Sequence, residues 1–166
     1  MENATRRDDA LDAARTFDEA ARVVPALPKA IAAARAWVHD HLPPAEPASL
    51  LHGDLLGQNI LLVPGEVPFV IDWEFAGAGD PAHDLAIVAR GKRDPFKAGR
   101  GIRPLLDEYR SAGGCNVAAT DVRLYELCLV TGWFVHSVQS PGEAVHGPEM
   151  HLAHLERLLA MASDAD

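Results

Sequence analysis

The chain has 166 residues, 48% of them hydrophobic, which predicts a single domain with a real apolar core. Its formal net charge of −9 argues against nucleic acid as a partner, because phosphate binding needs a basic face. We expect no membrane association and a cytoplasmic location, since no apolar run reaches spanning length and the N-terminus lacks a signal-peptide core. The two cysteines, Cys115 and Cys128, lie far apart and are expected to be reduced thiols.

The first half of the chain is predicted to contain two helices and one β-hairpin. Ala-rich segments with apolar residues at helical spacing predict helices over 8–23 and 28–41. Two short β-rich runs, 59–63 and 67–72, flank a Pro-Gly-Glu turn and predict a hairpin. The segment 73–81 is then predicted to be a loop.

The second half of the chain is predicted to be helical. Helices are expected over 83–90, 102–112, 119–139 and 148–162, with Gly-Gly and Ser-Pro-Gly breaks between the later ones. The predicted fold class is therefore α+β and predominantly helical, with one small hairpin that carries the unusual polar residues.

Charged residues are distributed unevenly along the chain. From 37 to 89 there is no Lys or Arg, but there are eight acids: Asp40, Glu46, Asp54, Glu66, Asp72, Glu74, Asp80 and Asp84. An acidic segment without internal counter-charge favours a metal ion or a cationic substrate, and a solvated surface is the alternative. The basic segment that follows, 90–103, is interpreted as a solvated loop rather than an anion site.

Three polar side chains occur at the ends of the predicted hairpin strands. Asp54 follows a short apolar run and Gly53, where the chain can turn sharply, and a carboxylate there can accept a proton from a hydroxyl. Asn59 begins one strand and Asp72 ends its antiparallel partner, so we expect them to lie close together. Their oxygens suit Mg²⁺, although each Asp taken alone would also suit a turn. Together they predict half of a phosphoryl-transfer site.

Three linked motifs resemble the aminoglycoside phosphotransferase and choline kinase family, which is protein-kinase-like. His52-Gly53-Asp54 with Asn59 keeps the spacing of the kinase catalytic loop, with Gly in place of Arg. IDWE at 71–74 and GDPxxDLA at 79–86 follow in the family's order. The resemblance covers about 28–162 and implies the C-terminal lobe of that fold.

The resemblance also implies a reaction and roles for individual residues. Asp54 would be the catalytic base, while Asn59 and Asp72 would hold Mg²⁺ and ATP or GTP would donate the γ-phosphoryl group. His52 and Asp84 would support the catalytic loop. The implied activity is ATP-dependent transfer to a hydroxyl of a small molecule, expected to be cationic, such as an aminoglycoside or an amino alcohol.

The acceptor is expected to bind near Glu74 and on the last three helices, where Trp133 and His136 are candidate pocket residues. Three histidines near the C-terminus could form a further metal cluster: His146, His151 and His154. Since no acid or cysteine completes that set at useful spacing, surface or packing positions fit them better.

A complete kinase of this type also needs a Gly-rich loop and a strand lysine at the nucleotide phosphates. No glycine precedes Gly53, and none of the three lysines lies on a predicted N-terminal strand. We therefore expect a single domain without the nucleotide lobe, with 1–27 as an N-terminal helical segment, 28–162 as the family-like core, and weak or no activity in isolation. Two alternatives remain: a non-catalytic binding or scaffold module, and a protein whose nucleotide lobe comes from another chain or a swapped dimer. Self-association of the lobe is also expected to be possible.

Overall fold

A computed structural model of the chain describes residues 4–90 and 102–163, so most of the basic segment 90–103 lies outside the described residues. Within them, seven α-helices and four short strands follow one another in this order: α1 (Arg6–Ala13), α2 (Arg15–Val23), α3 (Lys29–Asp40), β1 (Ser49–Leu51), β2 (Ile60–Leu61), β3 (Phe69–Val70), β4 (Gly77–Gly79), α4 (Pro81–Ala89), α5 (Ile102–Ser111), α6 (Ala119–Gln139) and α7 (Pro148–Ser163). None of the described helices is long and apolar enough to cross a membrane.

The long helix α6 forms the centre of the helical body, by which we mean α1 to α7. It packs against α2, α4 and α7. Its buried side chains include Val122, Leu124, Leu127, Val130 and Phe134, and they lie on more than one face of the helix. A helix that is apolar around most of its circumference needs neighbours on several sides, and the other helices supply them.

A buried ion network ties α1 to the rest of the body. Arg6 is 3% exposed, and its guanidinium lies 3.0 Å from Asp80, 2.8 Å from Asp121 and 2.9 Å from Glu46. Asp80 also caps α4, because its Oδ1 accepts a hydrogen bond of 3.0 Å from the Ala82 backbone. Burial raises the pKa of Asp80, while the hydrogen bond from the Ala82 backbone and the contact with Arg6 oppose that effect.

Two small antiparallel sheets accompany the helices. Strands β2 and β3 pair with Ile60 opposite Val70, which confirms the predicted hairpin in a shorter form. Strands β1 and β4 pair with Ser49 opposite Gly79. The predicted loop over 73–81 was therefore wrong, since it contains β4. Glycines have low strand propensity, so the local sequence gave no sign of this strand.

The single helix predicted over 8–23 was also wrong, because the chain forms α1 and α2 with a break at Ala14. The two helices have different tertiary anchors: Arg6 of α1 lies in the ion network, whereas Phe17 of α2 lies in the apolar core. Tertiary contacts override local helix propensity here. The other predicted helices are confirmed to within two residues at each end.

Every residue from 61 to 78 is exposed, and we call this segment the exposed arm. It runs through the hairpin and a short 3₁₀ turn, Trp73–Phe75, into β4. Its large apolar side chains that face solvent are Leu61, Leu62, Val63, Val67, Phe69, Val70, Ile71, Trp73 and Phe75. The arm thus contributes little to the core, although it carries Asp72 and Glu74.

Candidate active site

The loop around Gly53 is held by one carboxylate of the helical body. Asp84 of α4 accepts hydrogen bonds from two successive backbone N–H groups, His52 at 2.7 Å and Gly53 at 2.9 Å. Hydrogen bonds to an ionised carboxylate are among the stronger ones in proteins. The loop that presents Asp54 is therefore fixed to α4 at its backbone.

Gly53 occupies a position that a residue with a side chain would strain. Its φ is +82°, and an added Cβ would collide with the backbone carbonyl of Phe75. Positive φ and close approach of another backbone are the two conditions that favour glycine. This explains why glycine stands where the kinase pattern has arginine.

His52 connects this loop to the end of the hairpin. The Asp54 backbone N–H donates to His52 Nδ1 at 3.2 Å, so Nδ1 is the acceptor of the ring. Nε2 then carries the proton and donates to the Ile71 carbonyl at 2.8 Å. The buried ring, whose centre lies 4.8 Å from the centre of the Trp73 ring, thus joins the loop of Asp54 to the residue before Asp72.

Asn59 brings the hairpin to Asp54. Its Nδ2 donates to the Asp54 carbonyl at 2.8 Å and to Asp54 Oδ2 at 3.1 Å. The backbone carbonyl of Asn59 accepts a hydrogen bond of 3.0 Å from the Ile71 backbone N–H. Asp72 is the next residue after this contact. Asp54, Asn59 and Asp72 therefore converge at one end of the hairpin, with the Asn59 amide nitrogen directed at Asp54.

Asp72 has a left-handed backbone, with φ 69° and ψ 56°. Among the described residues it is the only non-glycine residue with positive φ. Such conformations cost free energy and cluster at functional sites, although Asp tolerates them better than most residues. The conformation turns the chain from β3 into the 3₁₀ turn and leaves the carboxylate exposed.

The structure separates the three predicted acceptor residues. Trp133 and His136 of α6 both line a cavity of about 640 Å³ between α6, α7 and the end of α4. Glu74 is not among the lining residues and stays on the exposed arm. The sequence also did not indicate Arg90, which lines this cavity and lies with its guanidinium carbon 4.0 Å from the centre of the Trp133 ring.

Burial shifts several titrating groups of the cavity. It lowers the pKa of Arg90 to about 10 and raises that of Glu126. It also lowers the pKa of His151, and it lowers that of His154 to about 4, an effect that nearby cationic arginines reinforce. Both histidines are therefore neutral at pH 7. Residues 4–90 and 102–163 contain no group of three or more His, Cys, Asp or Glu side chains arranged to hold a metal ion.

Comparison with known proteins identifies the class to which this fold belongs. The phosphotransferase enzyme family matches residues 2–128, and the chain belongs to this family. The resemblance seen in the three motifs is thereby confirmed.

Two individual proteins are similar to parts of the chain. Acyl-CoA dehydrogenase family member 10 of Mus musculus is 34% identical over 87 residues, which covers 44% of this chain and 8% of that protein. A crystal structure of a thermostable mutant of aminoglycoside phosphotransferase APH(4)-Ia, in its apo form, matches with a TM-score of 0.58 and 19% identity over 95% of this chain and 53% of the other. The second likeness shows a kinase-like fold, mostly helical with small antiparallel sheets. This chain spans about half the length of that structure.

Proposed function

We propose that the chain is the acceptor- and metal-binding lobe of an ATP-dependent O-phosphotransferase, which corresponds to the C-terminal lobe of the family fold. Residues 28–162 would form the family-like core and 1–27 an N-terminal helical segment. The observation that supports the proposal is the contact of Asn59 with Asp54, on a loop held by Asp84, next to the hairpin end from which Asp72 follows. A turn or cap alone would not need all of these contacts.

Asp54 is the proposed catalytic base. Its Oδ2 accepts from Asn59, which orients the carboxylate and leaves the other oxygen for an acceptor hydroxyl. That hydroxyl gives its proton to Asp54 as its oxygen bonds to the γ-phosphorus, and the bond from this phosphorus to the nucleoside diphosphate breaks. His52 and Asp84 position Asp54 through the loop backbone.

Asn59 and Asp72 fit a magnesium site. The Asn59 nitrogen donates to Asp54, so its Oδ1 is the atom left to act as a ligand. Asp72 is exposed and directly follows Ile71, whose backbone N–H donates to the Asn59 backbone carbonyl. Mg²⁺ prefers oxygen ligands and binds through one or two protein groups plus waters and substrate phosphates. When bound, it would neutralise charge on the phosphates of ATP or GTP.

The acceptor would bind between Asp54 and the cavity that Trp133 and His136 line. Helix α4 connects the two places, because Asp84 holds the Asp54 loop and Arg90 lies six residues on, about 9 Å further along the helix axis. Glu74, on the exposed arm, would reach the acceptor from the Asp72 side. The cationic charge expected of the acceptor stays a prediction.

We infer that the exposed arm is the surface against which a nucleotide lobe would pack. Contiguous exposed apolar surface marks interaction sites, and here it adjoins Asp72. Without that lobe we expect slow turnover, since phosphoryl transfer depends on positioning and on electrostatic stabilisation of the phosphates.

Calorimetric titration with Mg·ATP tests the proposal. We expect binding that requires Mg²⁺ and that Asp72→Ala weakens about tenfold or more, because a charged ligand of the metal is lost. Glu66→Ala, which removes an exposed acid from the same arm, is the matched control and should bind as the wild type does. If no form binds nucleotide in a metal-dependent way, the chain is a non-catalytic binding module instead.

Turnover with a panel of amino-sugar and amino-alcohol acceptors tests the catalytic part of the proposal. Residual activity should fall a further hundredfold or more in Asp54→Asn, which keeps the shape of the side chain but not the base. Wild-type turnover as fast as that of an ordinary kinase would contradict the need for a second lobe.

A further inference from the structure

The cavity between α6, α7 and the end of α4 contains a cation with unused hydrogen-bond donors. Nε and Nη1 of Arg90 are buried and have no hydrogen-bond partner among the described residues. The guanidinium lies over the Trp133 ring, which fixes its plane against one wall of the cavity.

Burying charged donors without acceptors costs free energy, and native structures avoid it unless another group completes the site. The charge of Glu126 affects Arg90, but the Glu126 carboxylate pairs with Arg123 at 2.7 Å. Burial raises the pKa of Glu126, while Arg123 and Arg90 oppose that effect. Within the described residues, Nε and Nη1 of Arg90 therefore remain without an acceptor.

The rest of the lining carries charges of both signs. None of the eight acids of the segment 37–89 lies among the described lining residues, but Glu126 and Glu143 do. Arg157 adds a second positive charge, and Trp133 adds an apolar face. His151 and His154, neutral at pH 7, supply ring nitrogens without charge.

We propose that this cavity binds an oxyanion group of the acceptor, a carboxylate or a phosphate, through the Arg90 fork, with an apolar body against Trp133. The planar guanidinium presents parallel N–H donors that match such a group. The acceptor would then extend from Arg90 towards Asp54, whose loop is held by Asp84 of α4, six residues before Arg90. Only the placement of the acceptor hydroxyl at Asp54 rests on the proposed function; the anion site at Arg90 does not.

Two probes with the same chain length and the same hydroxyl end, but with a carboxylate or an ammonium at the other end, test the inference. We would titrate the chain with 8-hydroxyoctanoate and with 8-amino-1-octanol by calorimetry, without nucleotide or Mg²⁺. The acid should bind about tenfold more tightly than the amine or better, as expected for a charge-assisted hydrogen bond. Competition by inorganic phosphate would show that the site takes either oxyanion, whereas its absence would assign the site to carboxylates. Equal binding, or a preference for the amine, would overturn the proposal.

Substitution of Arg90 locates the effect. Arg90→Gln should remove the preference for the acid, and Arg90→Lys should retain part of it, since the charge remains but the fork does not. Arg22→Gln removes an exposed arginine of α2 and is the matched control. If Arg90→Gln does not fold, as judged by circular dichroism, Arg90→Lys still tests the role of the guanidinium. If Arg90→Lys binds the carboxylate and phosphate probes with the same affinities as the wild type, the guanidinium fork plays no part in binding.

The outcomes also separate this inference from the proposed function. Binding of 8-hydroxyoctanoate that depends on Arg90, without phosphoryl transfer even when a nucleotide lobe is supplied, would overturn the proposed function and leave the anion site in place. Phosphoryl transfer to the hydroxyl of amine-bearing acceptors but not to that of 8-hydroxyoctanoate would support the proposed function and overturn the anion site.

Discussion

The helical body packs its apolar side chains around α6, whereas the exposed arm presents nine large apolar side chains to solvent. Phe17 in the body is fully buried, while Phe75 in the arm is 65% exposed. The candidate active site lies where the two regions meet, since Asp84 belongs to the body and Asp72 to the arm.

This difference separates stability from function in the molecule. The body supplies the free energy of folding and a fixed support for the Asp54 loop. The arm supplies a metal-ligand candidate and an apolar surface, and neither needs to contribute to folding. Substitutions in the two regions should therefore differ sharply in their effect on stability.

The largest effect is expected from a matched pair of phenylalanines. Phe17→Ala should lower the free energy of unfolding by about 3–5 kcal/mol, because it opens a cavity in the core. Phe75→Ala should change it by less than about 0.5 kcal/mol, since most of that ring is already in water. Urea denaturation of both variants measures the difference. Similar losses would show that the arm is part of the folding unit.

Substitution of Arg6 is expected to have the next largest effect on the free energy of unfolding. Arg6→Met should cost about 3 kcal/mol, because Asp80 remains fully buried without its partner. The control Arg15→Met removes an exposed arginine paired with Asp12 and should cost less than about 1 kcal/mol. The same urea titrations apply. A small loss for Arg6→Met would mean that Asp80 protonates or rehydrates readily in the native state.

Both regions were predictable from sequence, but to different extents and for different physical reasons. The helices of the body follow from Ala-rich composition and apolar spacing, which are local properties. The break at Ala14 does not, because Arg6 finds its partners Asp80 and Asp121 far along the chain. For the same reason β4 could not be predicted locally, because its glycines pair with β1, which lies far earlier in the sequence.

The candidate site was predictable as a set of residues, because the motifs fix their spacing. Its geometry was only partly predictable. Antiparallel pairing implies that Asn59 and Asp72 approach each other, but no pattern reveals that Asp72 adopts a left-handed backbone. Two residues of the cavity, Trp133 and His136, were predicted from the sequence, but Arg90 was not, since it is buried there by helices far from α4 along the chain.

A pair of glycines with positive φ tests the junction between body and arm. Gly53→Ala should cost about 1–3 kcal/mol and weaken Mg·ATP binding, because the added methyl group meets the Phe75 carbonyl as well as an unfavourable backbone region. Gly65→Ala, in the arm, has the same backbone problem but open space around it, so about 1 kcal/mol is expected. Equal losses in urea denaturation would show that the contact with Phe75 yields easily.

The smallest effect concerns the pH dependence of the body. The pKa of His154 is about 4 in the folded chain and 6.5 in the reference state, so between these values the unfolded chain binds more protons. The free energy of unfolding should therefore fall as the pH falls from about 6.5 towards 4, by roughly 1 kcal/mol once solvent screening of the half-exposed ring is allowed for. His154→Gln should reduce the loss measured by urea denaturation between about pH 7 and pH 4.5 by that amount. His39→Gln, which removes an exposed histidine of α3, is the control. An unchanged pH profile in His154→Gln would mean that the ring takes up its proton in the folded state, and that the cavity around Arg90 admits more water than its buried donors indicate.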